Sequence, residues 1–263
     1  MTGSIEQKQH NIGIQLFTLR DRTATDFAGT LRQVSELGYD GVEFAGFGGM
    51  EAKTLASLLN GLGLRGVSAH IGLAELSKVE EVASFGKEIG LKYVVCPWLA
   101  PEDREPFSKY EALAERLAQL GDQYARHGLS LCYHNHDFEF TTEDGHGQTA
   151  HDYLFQATEP GQMQAELDVY WVERTGRSAT EWISRYKGRC PLIHLKDMSA
   201  DERRTFAELG RGTLPIPAII ETGDACGADW YFVEQDICPG DPLDSARISI
   251  EYLRSIGVAG PDR

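Results

Sequence analysis

The chain has 263 residues, 41% hydrophobic and 25% charged, which is enough for one large buried core. Its 40 acidic and 25 basic residues give a formal net charge of −15 without a visible basic patch, so we expect no nucleic-acid partner. No apolar run reaches the about 20 residues of a membrane span, and the polar start "MTGSIEQKQHN" does not resemble a signal peptide. Five scattered cysteines without a C-x-x-C pair favour free thiols and a cytoplasmic location.

Short apolar segments recur along the chain and predict eight strands. They begin near residues 12, 40, 66, 92, 129, 164, 191 and 230. Glycine precedes four of them, in "SELGYDGVEFAG", "NGLGLRGVSAHIG", "KEIGLKYVVCPW" and "ARHGLSLCYHNH". Glycine commonly ends a helix because it adopts the left-handed conformation without strain. In "EALAERLAQLGDQYARHG" the apolar residues recur at steps of three and four, which predicts an amphipathic helix.

The alternation of strands and helices predicts the fold class. Such alternation indicates a parallel sheet, and the consecutive apolar residues in each strand are typical of strands covered on both faces. Eight units in a chain of this length favour an α/β fold, a closed (β/α)8 TIM barrel that forms a single domain over residues 1–263. An open doubly wound sheet is the alternative, and the lack of G-x-G-x-x-G after the first strand disfavours it.

Ionisable and polar residues follow most of the predicted strands. They are Gln15, Glu43, His70, His134, Asn135, His136, Glu139, Glu166, Asp168, His194, Lys196, Asp197, Glu234 and Asp236. Any one of them alone is more often structural or solvated. The carboxyl ends of barrel strands meet at one rim, however, and so many carboxylates and imidazoles there require a positive charge among them. The mixed oxygen and nitrogen donors predict one divalent metal ion: Mn²⁺, Zn²⁺, Co²⁺ or Mg²⁺.

Three motifs, "YHNHDFEF", "ELDVYWV" and "LIHLKD", occur in this order between "IGIQLFTLRD" and "FVEQD". With them the chain resembles the xylose isomerase-like TIM barrel superfamily, in particular the sugar phosphate isomerase/epimerase family with its inosose dehydratases and ketose 3-epimerases. The resemblance implies that Asp168, His194 and Glu234 bind the metal together with a group from the fifth strand. The epimerases have a glutamate at that strand end, whereas this chain has "YHNH". We expect Glu139 to be the fourth ligand, with His136 as the substitute, while direct binding by His134 stays open.

The resemblance also implies a reaction. Its members remove a proton next to a carbonyl group, and the resulting enediolate is then epimerised, isomerised or stripped of a β-substituent. Because "YHNH" resembles the H-x-H of inosose dehydratases and histidine suits a general acid, we favour dehydration or β-elimination of an uncharged keto sugar or keto polyol. A ketose epimerase or aldose-ketose isomerase is the first alternative and a non-catalytic sugar-binding protein the second. A metal-dependent nuclease of the same fold is disfavoured by the acidic charge.

Individual roles follow from the same resemblance. The expected catalytic residues are Glu139, Glu234, His134, His136 and Lys196. The expected substrate-binding residues are Gln15, Glu43, His70, Trp98, Trp171 and Arg211. Packing is the alternative role for the tryptophans, and a salt bridge to Asp168 or Asp236 is the alternative for Lys196. The partner is a small sugar or polyol. A homo-oligomer is compatible with the family, but no sequence feature predicts it.

Overall fold

The computed structural model describes residues 10–260, and eight parallel strands in it close into a barrel. The strands are β1 (Ile12–Gln15), β2 (Gly41–Phe44), β3 (Arg65–His70), β4 (Tyr93–Cys96), β5 (Ser130–His134), β6 (Gln164–Asp168), β7 (Leu192–Leu195), β8 (Asp197–Met198), β9 (Phe206–Ala207) and β10 (Trp230–Val233). The barrel order is β1-β10-β7-β6-β5-β4-β3-β2, while β8 and β9 form a separate antiparallel ribbon. The first strand closes the barrel, because Ile14 lies opposite both Val42 and Val233.

Helices connect the strands and cover the barrel. They are α1 (Arg20–Thr25), α2 (Phe27–Glu36), α3 (Ala52–Leu62), α4 (Leu73–Leu76), α5 (Val79–Glu88), α6 (Pro101–Arg104), α7 (Lys109–Arg126), α8 (Phe138–Thr141), α9 (Ala150–Gln156), α10 (Val169–Arg174), α11 (Ala179–Arg185), α12 (Ile216–Cys226) and α13 (Pro242–Ser255), with a 3-10 turn at Leu16–Leu19. In α7 the buried residues include Leu113, Leu117 and Tyr124, at the helical spacing that the sequence predicts.

The barrel interior changes character from one end to the other. An inner apolar cluster contains Val67, Tyr93, Val95, Cys132, Leu192, Trp230 and Phe232. Residues two apart in a strand point to the same side, so His194 follows Leu192 and Glu234 follows Phe232 on the inward face. The apolar cluster therefore lies beneath an ionisable layer at the carboxyl ends of the strands, which is where barrel enzymes carry their sites.

The predicted (β/α)8 barrel is confirmed, and each of the eight predicted strand starts lies within one residue of a barrel strand's first residue. The predicted domain limits, residues 1 and 263, lie outside the described residues. The β8–β9 ribbon was not predicted, because two-residue strands are too short to show a periodic pattern. The five cysteines are free, with Cys96 and Cys132 buried in strands as expected. None of the helices within residues 10–260 has the length and apolar character to cross a membrane.

Two helical glycines provide a matched test of the packing. A Cβ at Gly121 in α7 would lie 1.7 Å from the backbone oxygen of Gln162, whereas a Cβ at Gly61 in α3 meets no described atom within 4 Å. We expect Gly121→Ala to lower the free energy of unfolding by about 1–3 kcal/mol through overpacking. Gly61→Ala should raise it by about 0.5–1 kcal/mol, because alanine reduces the entropy of the unfolded chain. Urea unfolding of both variants tests the packing, and equal effects would contradict it.

Candidate metal and substrate site

Four side chains from four strands bring their ligand atoms together at the carboxyl end of the barrel. They are His134 at the end of β5, Asp168 at the end of β6, His194 in β7 and Glu234 directly after β10, and one atom of each lies within 4.8 Å of the others. All four are buried. We call these four residues the outer group. Three of the four predicted metal ligands are thus brought together, and the fifth strand contributes His134.

A second set of side chains lies immediately beside the outer group and shares its two histidines. Here His70 and Glu166 approach the same imidazoles within 4.8 Å. His134 directs Nδ1 at Glu166 Oε2, 3.1 Å away, while its Nε2 is 3.7 Å from Asp168 Oδ2. His194 directs Nε2 at Glu43 Oε1, 2.6 Å away, while its Nδ1 is 2.7 Å from Glu234 Oε2. Each imidazole therefore turns one nitrogen to Glu166 or Glu43, which we call the inner carboxylates, and the other nitrogen to a carboxylate of the outer group.

The inner carboxylates are themselves held by polar neighbours. Glu43 accepts hydrogen bonds from Gln15 Nε2 at 2.7 Å and from Ser68 Oγ at 2.6 Å. His70 Nε2 lies 2.6 Å from Glu166 Oε2 and 3.0 Å from Glu43 Oε1. Gln15 and Glu43 are fully buried and do not line the cavity above the outer group, although both were predicted to bind substrate. The side chains of Gln15 and Glu43 find their hydrogen-bond partners inside the barrel, because the alternation of side chains along a strand turns both of them inward.

Above the outer group a cavity of about 440 Å³ opens to solvent. It is lined by Phe17, Ala45, His70, Pro97, Trp98, His134, His136, Lys196, Glu234 and Asp236. We call it the catalytic cavity. The predicted substrate residues His70 and Trp98 therefore do lie at the cavity. Its volume is in the range that accommodates a single small ligand.

Lys196 is a buried cation in contact with both carboxylates of the outer group. Its Nζ lies 2.9 Å from Asp168 Oδ2, 2.9 Å from Glu234 Oε2 and 2.7 Å from Asp236 Oδ2. Burial alone would lower the pKa of Lys196, but these three carboxylates raise it well above its ordinary value. Lys196 thus makes both salt bridges considered from the sequence and also faces the cavity.

Asn135 belongs to the motif "YHNH", but its role cannot be read from the motif; in the structure it is a positioning residue for Asp168. Its Nδ2 donates to Asp168 O at 3.2 Å, and its Oδ1 accepts from Asp168 N at 3.0 Å. The Asp168 side chain in turn accepts a hydrogen bond from Trp171 N at 3.1 Å, at the start of α10. This bidentate bridge joins the ends of β5 and β6 and fixes the backbone that carries Asp168.

Glu139 does not reach the outer group, although the sequence predicted it as a ligand and a catalytic residue. Its Oε1 accepts from Tyr133 Oη at 2.7 Å and its Oε2 accepts from His136 N at 2.8 Å. The side chain is fully buried at the first turn of α8, where that short helix turns it behind the wall of the cavity. In this position it supports the His136 backbone, and His134 supplies the fifth-strand donor instead.

Trp171 and Arg211 lie outside the catalytic cavity in different ways. The Trp171 ring is 5.3 Å from the His136 ring, so it stands directly behind the cavity wall. Arg211 is exposed on the loop after β9 and lines none of the cavity, because Asp197 accepts hydrogen bonds from Gly210 N and Gly212 N and holds that loop away. The structure thus brings Trp171 next to the predicted site and leaves Arg211 apart.

The donor set of the outer group suits a divalent cation. Asp168 Oδ2 is buried without a hydrogen bond from the described residues, and its contact with Lys196 is an ion pair only. Burial, together with the nearby histidines, lowers the pKa of His134 well below its usual range, which leaves the neutral imidazole that metals bind. The inner carboxylates on the far nitrogens match the arrangement that orients metal-binding histidines in proteins. The residues present therefore fit such an ion.

The buried Glu139 generates a prediction about pH. Burial raises the pKa of its carboxyl to about 7, so between pH 4.5 and 7 the folded state holds a proton that the unfolded state has lost. Stability should then fall as pH rises through this window, by about 3 kcal/mol for this group. Glu139→Gln removes the titration, so the free energy of unfolding of the wild type minus that of the variant should decline by that amount. Urea unfolding of the wild type and Glu139→Gln at several pH values measures it, and a difference that does not change between pH 4.5 and 7 would contradict it.

Comparisons with known proteins agree with this architecture. The family model described as xylose isomerase-like TIM barrel matches residues 31–256. An inosose dehydratase of Geobacillus kaustophilus is 26% identical, with 85% of each chain covered. A sugar phosphate isomerase/epimerase from Parabacteroides distasonis superposes with a TM-score of 0.80 at 21% identity over 96% of both chains. An L-ribulose 3-epimerase superposes with a TM-score of 0.72 at 15% identity over 94% of both. The chain is therefore an enzyme that belongs to the xylose isomerase-like TIM barrel family.

Proposed function

We propose that this protein is a divalent-metal-dependent lyase that removes water from a keto polyol or keto sugar. The observation that carries the proposal is the end of β5, which supplies the imidazoles of His134 and His136 to the site while the carboxylate of Glu139 is turned away. Proton exchange on both faces of a substrate carbon uses two proton carriers. The cavity is instead lined by two carboxylates that Lys196 holds, Glu234 of the outer group and Asp236, and by the neutral imidazoles of His134 and His136. The similarity to inosose dehydratases supports the same choice.

The outer group, His134, Asp168, His194 and Glu234, would hold the metal ion. When bound, a divalent cation polarises a carbonyl group and stabilises the negative charge that develops on its oxygen. Mn²⁺, Co²⁺ and Zn²⁺ suit two imidazoles and two carboxylates better than Mg²⁺, which prefers oxygen ligands.

Glu234 is the proposed base. Burial would raise its pKa, but Lys196 and His194 outweigh burial and hold the pKa below its ordinary value, so the group is an ionised carboxylate. It takes the proton from the carbon next to the substrate's carbonyl group. As the C–O bond on the following carbon breaks and a C=C bond forms, the protonated Glu234 returns this proton to the departing hydroxyl. One molecule of water leaves, and no further reactant is needed.

His136 and Lys196 stabilise the departing oxygen. Burial, followed by the nearby Lys196 ammonium, lowers the pKa of His136 to about 3. His136 is then neutral at pH 7, so in this proposal it donates an N–H hydrogen bond and not a proton, which changes the role predicted from the sequence. Lys196 keeps its charge and faces the same cavity. Both groups lower the energy of negative charge on the leaving oxygen.

The reaction is tested with 2-keto-myo-inositol and the protein loaded with Mn²⁺ or Co²⁺. We expect an unsaturated product lighter by one water in the mass spectrum, and a loss of about a thousandfold in kcat for Glu234→Gln, since Glu234 is the proposed carrier of the proton. Exclusive formation of an epimer or isomer from 2-keto-myo-inositol and from 3-keto-glucosides would replace the lyase with the epimerase alternative.

The inner carboxylate Glu166 provides a test of the metal site that does not depend on activity. Because it holds His134 Nδ1, Glu166→Gln should weaken Co²⁺ binding about 10- to 100-fold. Competition with a chelator, followed through the visible absorption of bound Co²⁺, measures the dissociation constant. The exposed Glu75→Gln is the matched control and should leave it unchanged. Equal affinity in the two variants would mean that the outer group is not the metal site.

A further inference from the structure

The β8–β9 ribbon is fastened to α10 by a reciprocal pair of arginines. Arg174 Nη1 donates to Arg203 O at 3.4 Å and to Arg204 O at 2.9 Å. In return, Arg204 Nη2 donates to Glu173 O at 2.8 Å and Arg204 Nη1 to Arg174 O at 3.3 Å. Arg204 has a φ of 51°, and it is the one non-glycine residue with positive φ in the part of the chain that the structure describes. A strained backbone persists only where its surroundings hold it, so these hydrogen bonds fix the position of the ribbon relative to α10.

This fastening builds a cleft between the ribbon, α10 and the segment after β10. Its volume is about 480 Å³, and its principal walls are Tyr170, Trp171, Phe206, Ile237, Arg174 and Arg203. We call it the aromatic cleft. The Tyr170 and Phe206 rings stack with centroids 4.3 Å apart, and the Trp171 ring meets Phe206 edge-on at 5.7 Å. Ile237 is 67% exposed and lines the cleft beside these aromatic rings.

The aromatic cleft adjoins the catalytic cavity. Lys196 Nζ, which lines the cavity, lies 5.8 Å from the Trp171 ring centroid and 5.7 Å from that of Phe206. On the cavity side of the same wall, the His136 ring is 5.3 Å from Trp171. Neighbouring residues in sequence also face the two spaces, since Asp236 lines the cavity and Ile237 lines the cleft. A ligand joined to a sugar in the cavity can therefore extend over this wall.

We propose that the aromatic cleft binds a second ring of the substrate, so that the substrate is a keto glycoside and not a free keto sugar. This inference rests on the proposed lyase function and adds the substrate class. The chemistry that the walls recognise is a ring with a flat apolar face, because aromatic side chains bury such faces well. A sugar ring and an aryl group both have this property. Arg174 and Arg203 lie at the cleft and contact the polar edge of the ring.

In this reaction the glycosidic oxygen replaces the departing hydroxyl. Glu234 removes the proton from the carbon between the ketone and the anomeric carbon, the bond from the anomeric carbon to the glycosidic oxygen breaks, and a C=C bond forms. The proton then passes to the glycosidic oxygen. The products are an unsaturated keto sugar and the alcohol that carried the second ring, so atoms and electrons balance without an added reactant.

The cleft is tested with probes that cannot react because they lack a ketone. Isothermal calorimetry compares methyl β-D-glucoside, phenyl β-D-glucoside and cellobiose on the Mn²⁺-loaded protein. We expect at least one of the two ring-bearing probes to bind about tenfold more tightly than the methyl glucoside. Preference for the phenyl probe identifies an aryl substituent, and preference for cellobiose identifies a sugar. Equal affinities, or no measurable binding of either ring-bearing probe, would overturn the proposal.

Variants locate the preference in the cleft. Phe206→Ala and Ile237→Ala should each reduce the ratio of ring-bearing to methyl affinity to less than about threefold, whereas Ile237→Leu should restore it. Ile237 is exposed, so its variants do not depend on refolding of the core. Phe17→Ala, on the wall of the catalytic cavity, is the matched control and should weaken all three probes alike. An unchanged ratio in both cleft variants would also overturn the proposal.

The same measurements separate this inference from the proposed function. If the ring-bearing probes bind preferentially but neither 3-keto-glucosides nor 2-keto-myo-inositol loses a substituent, the aromatic cleft stands and the lyase reaction is wrong. If 2-keto-myo-inositol is dehydrated while the three probes bind equally, the lyase reaction stands and the aromatic cleft is wrong.

Discussion

The two imidazoles that are shared between an inner and an outer carboxylate organise the rest of the site. His134 is held by Glu166 on one side and faces Asp168 on the other, and His194 is held by Glu43 and faces Glu234. Because each imidazole ring is rigid, the inner carboxylate that holds one nitrogen also fixes the direction in which the other nitrogen points at the rim. The rim geometry therefore depends on Glu43 and Glu166, which do not line the catalytic cavity.

Such a layer is stable only if its charges compensate one another. Burial disfavours an isolated carboxylate, and several fully buried carboxylates lie within a few ångströms of one another here. Burial lowers the pKa of His70, but Glu43 and Glu166 outweigh it and raise the pKa to about 10, so this histidine is a cation within the barrel. Burial also lowers the pKa of His194, but Glu166, Glu43 and Glu234 outweigh it and raise the pKa well above its ordinary value, and Lys196 provides a further positive charge at the rim. For Asp168 burial dominates and raises the pKa to about 6, even though the Lys196 ammonium lies 2.9 Å away and lowers it.

The barrel strands and the segments that connect them contribute different residues to the site. The strands and their carboxyl ends hold the ionisable groups, while the segments after β1, β2, β4, β5, β7 and β10 line the cavity. Solved structures of low identity share the whole barrel. Loops are where substrates are distinguished on a common scaffold, and the β8–β9 ribbon is such a segment in this chain.

The sequence by itself determined the barrel and the place of the site. Both follow from local physical rules: apolar strands, glycine after helices, and polar residues at strand ends that parallel packing must gather at one rim. Asp168, His194 and Glu234 were found in this way because each lies at the carboxyl end of an apolar strand. What the tertiary structure decided was the direction in which each of these side chains points. Glu139 is five residues after the end of β5, and a turn of helix directs it to Tyr133, a contact that the motif does not encode. Gln15 and Glu43 likewise lie below the rim, because the stagger of neighbouring strands sets depth, and stagger depends on pairing between segments far apart in the chain.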